Sequence, residues 1–73
     1  MQNLDARGLR CPWPALRLAR AMRQAAPGGT IEILVDDDQA EREIGILARE
    51  RGWTLTLSKR DDACLIRVAY AAA

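Results

Sequence analysis

Hydrophobic and polar residues alternate along this chain with two different periods, and the points where the period changes mark its elements. Asn3-Leu4-Asp5-Ala6 is short and weakly patterned and reads as an edge strand, with Gly8 marking the turn that follows. From Pro12 to Ala26 the small and apolar residues Ala15, Leu18, Ala19, Met22 and Ala26 recur at helical spacing, while Arg17, Arg20 and Gln24 project from the other side. Pro27-Gly28-Gly29 stops that helix, since proline cannot continue the hydrogen-bond ladder and glycine accepts the left-handed conformation common after a helix end. Between Thr30 and Asp36 the period drops to two, with Ile31, Ile33 and Val35 set against Thr30, Glu32 and Leu34, as in a half-buried strand.

A second helix follows and runs to about Arg51, where Gly52 supplies the stop. Asp38 with Glu41 three positions later resembles a capping box, and the buried stripe is expected to be Ala40, Ile44, Leu47 and Ala48. Gly45 and Ile46 fall off this stripe, although a mid-helix glycine costs roughly 1 kcal/mol relative to alanine. Trp53, Leu55 and Leu57 then alternate with Thr54, Thr56 and Ser58. After a polar turn near Arg60-Asp61-Asp62, Cys64, Ile66, Val68 and Tyr70 alternate with Leu65, Arg67 and Ala69, which predicts an antiparallel hairpin. The order is β-α-β-α-β-β. Burying both helical stripes calls for a two-layer α/β sandwich with two helices on one face of a mixed four-stranded sheet.

Length fits one such unit over 1–73: a chain of 73 residues assembles its single core from nearly every apolar side chain it has. No apolar run approaches the ~20 residues of a membrane span, and Met1-Gln2-Asn3 lacks a signal-peptide core, so no membrane association and a cytoplasmic setting are expected. The Ala71-Ala72-Ala73 tail is expected to fray. A net charge of +1 is too balanced for direct nucleic-acid binding, although residues 1–29 hold five arginines against Asp5 alone and residues 30–50 hold seven acids against Arg42 and Arg49.

The chain has no histidine and two cysteines, Cys11 and Cys64, which excludes Cys-His dyads, Ser-His-Asp triads and histidine-dependent zinc sites within one chain. Only Cys11-Pro12-Trp13-Pro14 sets a reactive side chain in an unusual backbone context. With Pro12 at the first helical position, Cys11 becomes the N-cap, pre-set to an extended conformation by the proline after it. The prolines delete two of the free N–H groups at the helix start, leaving those of Trp13 and Ala15, of which Trp13 N–H is expected to meet the sulfur. The helix dipole, together with Arg7 or Arg10, is expected to lower the thiol pKa. Set against this, a cysteine before a helix can be a small buried residue without chemistry. Pro14 stands where a thioredoxin-like motif needs its resolving thiol, and Cys64 reads as a core residue. A nucleophile without a histidine, resolving thiol or metal suits a group carrier better than an independent turnover enzyme.

The stretch Leu4-Asp5-Ala6-Arg7-Gly8-Leu9-Arg10-Cys11-Pro12-Trp13-Pro14 resembles the LDxxGLxCPxP opening of the TusA/SirA sulfur-carrier family, and the later elements resemble it in order and spacing. The resemblance implies a two-layer α/β sandwich carrying sulfane sulfur as a persulfide on Cys11. It implies donors such as cysteine desulfurases or rhodaneses, and acceptors in sulfur relays serving tRNA thiolation, sulfur oxidation or molybdenum-cofactor pathways. It calls for no metal and no organic cofactor. Trp13 fills the variable position with a large apolar ring, and Asp38 stands where a proline often begins the second helix.

The supporting residues are Pro12, Trp13, Pro14, Arg10, Asp5 and Asp37. Asp5 and Asp37 match acidic positions of the family pattern, with a loop or capping role expected for both. Trp13 and Ile46 offer apolar surface to partners, and Arg17 with Arg20 an acidic-partner face, unless they serve only solubility. Trp53, Met22 and Tyr70 belong to the core or its margin. The competing readings are a thiol redox enzyme that cycles through sulfenic acid and a regulatory interaction module in which Cys11 is incidental.

Overall fold

In the computed structural model, which describes residues 2–70, a parallel pair begins the sheet: β1 (Gln2–Asp5) lies beside β2 (Thr30–Val35), Leu4 opposite Ile33. Parallel pairing needs a crossover, and α1 (Trp13–Gln24) supplies it. The chain continues through α2 (Asp38–Arg51) to the hairpin of β3 (Thr54–Arg60) and β4 (Ala63–Ala69). Strand order is β1-β2-β4-β3, so β4 pairs antiparallel with both neighbours and β3 is left at the edge.

The register sets Leu4, Ile33, Ile66 and Leu57 in one row across the sheet, with Ile31, Val68 and Leu55 in the next and Val35 and Cys64 in another. Leu18, Met22, Ala40, Ile44 and Ala48 close on these rows from the helices, and Trp53 stacks on Tyr70 with ring centroids 4.8 Å apart. This is the expected two-layer sandwich. Burial fades along β3: Leu55 is half-buried, but Leu57 is 51% exposed, against its expected place in the buried face, because β3 is an edge strand with no described strand beyond it.

Helix α1 is shorter than Pro12–Ala26. Pro12 is its N-cap, and the chain turns extended at Ala25 (φ −81°, ψ 142°), leaving Ala26 exposed and outside the stripe. A residue before proline is pushed out of the helical region, and here the helix ends ahead of Ala26. Pro14 and Ala21 join Leu18, Ala19 and Met22 as its buried face.

At α2 the N-cap is Asp37, one residue before the expected Asp38. Asp37 is extended (φ −117°, ψ 124°) and its Oδ1 accepts from Gln39 N–H at 3.1 Å, while Asp38 and Glu41 fall in the first turn beside the positive helix start. Gly52 ends the helix in the left-handed region at φ 75°, with Trp53 N–H reaching back to the Ala48 carbonyl at 2.9 Å. Ile46 is exposed as expected. No described helix is long and apolar enough to cross a membrane. The alanine tail lies outside the described residues.

Candidate functional site

The loop from Ala6 to Pro12 carries Cys11 and is held by the acids that follow β2. Ala6 extends the strand pairing, its N–H donating to the Leu34 carbonyl at 2.8 Å, and Gly8 turns the chain at φ 82°. Both Asp36 oxygens then accept the Gly8 N–H, at 3.0 and 3.1 Å, and Asp37 Oδ2 accepts the Cys11 N–H at 3.2 Å. Asp37 thus caps α2 with one oxygen and fixes the cysteine backbone with the other. Asp5 binds Arg7 at the backbone N–H, Nε and Nη2. These contacts, the side-chain bond first, hold its carboxyl at about 2. Arg17 Nη1 donates to the Asp5 carbonyl at 3.2 Å, tying α1 to the end of β1.

Cys11 is not the N-cap. Trp13 N–H, expected to meet the sulfur, donates instead to the Arg10 carbonyl at 2.8 Å, and the Pro12 carbonyl accepts the first helical bond, from Leu16. The Cys11–Pro12 peptide is cis. The thiol is exposed, and its S–H donates to Oε1 of Glu43, a half-buried side chain on α2. That bond, then desolvation, then the negative charges of Glu43 and Asp37 raise the thiol pKa above its ordinary value. The shift runs opposite to the expectation drawn from the dipole and Arg7 or Arg10. Arg7 is committed to Asp5, and the sulfur lies against a carboxylate rather than against free helix N–H groups.

Arg10 lines a shallow recess beside the loop with Gly8, Leu9, Asp36, Asp37 and Asp38. Pro14 is buried, whereas Trp13 is 62% exposed and flanks a second recess with Leu9, Leu16, Arg17, Arg20 and Arg23. Cys64 is a free cysteine buried in the row beside Val35. Among the described residues no cluster of histidine, cysteine, aspartate and glutamate could hold a metal ion.

Glu43 escaped the sequence reading. It stands three residues after Ala40 and four before Leu47, at the margin of the buried stripe, where a glutamate looks like ordinary amphipathic edge. The one available signal was that margin position on the helix that follows Asp36-Asp37.

The chain matches the family model described as Sulfurtransferase TusA over residues 2–69. A protein of Archaeoglobus fulgidus described as "Putative sulfur carrier protein" is 39% identical over 66 residues, covering 89% of this chain and 86% of that one. The crystal structure of a SirA-like protein from Desulfitobacterium hafniense superposes with a TM-score of 0.91 at 25% identity, covering 97% of this chain and 99% of the other. With its fold and nearly its whole length accounted for in this way, the chain belongs to the TusA sulfurtransferase family.

Proposed function

We propose that Cys11 accepts sulfane sulfur as a persulfide from a donor protein and passes it to an acceptor, the domain acting as the link between them. The observation that carries this reading is an exposed thiol on the chain's one cysteine-bearing loop, while the second cysteine, Cys64, is buried and offers no resolving partner. A lone accessible sulfur can exchange with a persulfide but cannot complete a dithiol cycle by itself. The chemistry is attack of Cys11 on the outer sulfur of a donor persulfide, then release of that sulfur to an acceptor thiol.

Donors of this kind are cysteine desulfurases or rhodaneses, and acceptors are sulfur-relay proteins serving tRNA thiolation, sulfur oxidation or molybdenum-cofactor synthesis. Contact with each is transient, and no metal or organic cofactor takes part. A free, exposed thiol fits a reducing compartment, the cytoplasm. Trp13, Leu16, Arg17, Arg20 and Arg23 give the partners an apolar and basic surface beside the cysteine loop.

Incubation with a cysteine desulfurase and free cysteine, followed by intact-mass measurement, should add the mass of one sulfur atom to the wild-type chain and none to Cys11→Ser. Oxygen addition alone would favour the redox enzyme. A partner-dependent phenotype that survives Cys11→Ser would favour the interaction module.

A further inference from the structure

When a donor protein covers Cys11, the sulfur loses contact with bulk water at the moment its proton has to leave. Two carboxylates face it, and they are differently occupied. Asp37 is committed on both oxygens to N–H groups, those of Gln39 and Cys11, so it is not available to the sulfur. Glu43 reaches over from α2 and already accepts the S–H through Oε1. Its side chain is half-buried, so part of its solvation is already gone before a partner docks.

We infer that Glu43 is the proton acceptor and donor for sulfur transfer at Cys11, an inference that rests on the persulfide reading above. In the loading step the Glu43 carboxylate takes the Cys11 S–H proton, and the sulfur lone pair forms a bond to the outer sulfur of the donor persulfide R–S–SH. The donor S–S bond breaks, with its electron pair passing to the inner sulfur, and the resulting thiolate takes the proton back from Glu43. The sum is Cys11–SH + R–S–SH → Cys11–S–SH + R–SH, with no net oxidation and no proton lost to solvent. Between transfers the same contact keeps the sulfur as the neutral thiol, the form that resists alkylation and oxidation.

This role separates two readouts that a structural or purely electrostatic role would move together. With glutathione persulfide as sulfur donor and iodoacetamide as alkylating probe, Glu43→Gln should alkylate faster than wild type near neutral pH, because a larger fraction of Cys11 ionises. The same variant should load sulfur more slowly by about 10-fold or more, general acid–base catalysis supplying typically 10²–10⁴. Loading of Glu43→Ala should be partly restored by added formate, a small carboxylate able to enter the space left. If loading of Glu43→Gln rises in step with alkylation, or formate restores nothing, the assignment is overturned. If wild type itself takes up no sulfur, the persulfide reading fails instead.

Discussion

At the scale of residues, two carboxylates act on different atoms of the same cysteine. Asp37 accepts a hydrogen bond from the Cys11 N–H while capping α2, and Glu43 accepts one from its S–H. Asp37→Ala should therefore cost about 1 kcal/mol in chemical denaturation, the usual worth of a lost N-cap. Asp38→Ala, removing an exposed first-turn acid that caps nothing, should stay within about 0.5 kcal/mol. The raised thiol pKa sets the pH behaviour. Iodoacetamide reactivity of wild-type Cys11 should climb through a titration above the ordinary ~8.5, and a profile centred at or below that value would contradict the Glu43 contact. The sign for stability follows: a group held in its protonated form favours the folded chain fully below its unfolded pKa, and the benefit is lost as pH rises through the raised folded one. Cys11 itself was legible from Pro12 and Pro14 around it, but the direction of its shift was not. That direction depends on which charge arrives opposite the sulfur, and the charge comes from 32 residues away.

At the scale of elements, periodicity located both helices and all four strands, and its errors fall at the ends. There a cap is decided by local contacts as much as by residue type, as when Asp37 rather than Asp38 caps α2 because its backbone is extended and its side chain reaches Gln39. Gly45 is the anomaly the pattern left behind. It lies inside α2 without a positive φ, and a Cβ built on it meets nothing within 4 Å. Gly45→Ala should accordingly stabilise the domain by about 0.5–1 kcal/mol, seen as a raised denaturation midpoint with unchanged slope. A destabilised variant would mean that the helix needs a bare backbone there.

At the scale of the whole molecule, stability comes from a single core between one sheet face and two helices. For a chain this size it amounts to only about 4–11 kcal/mol. Ile33 is fully buried in a central strand, so Ile33→Asp should abolish the cooperative thermal transition followed by circular dichroism. Leu57→Asp lies in the same row but at the open edge, and should cost no more than about 1 kcal/mol. A native-like melt from the first variant, or collapse in the second, would refute the placement of the core. Strand order explains that contrast, and alternation in Leu55-Leu57 could not supply it. A period of two says which side chains share a face, but not whether a further strand or a helix will cover them.

Sequence by itself determined the element order, the pairing of the last two strands, the core residues Ile31, Ile33, Ile44, Ile66 and Val68, and the candidate cysteine, Cys11, with no resolving thiol three positions on. These depend on local periodicity and on residue chemistry, which the chain carries wherever it folds. Only the tertiary structure placed β3 rather than β4 at the edge, committed Arg7 to Asp5, and brought Glu43 to the Cys11 sulfur. Such contacts arise between segments far apart in the chain, where packing of the helices over the sheet, rather than any repeating pattern, selects which side chains meet.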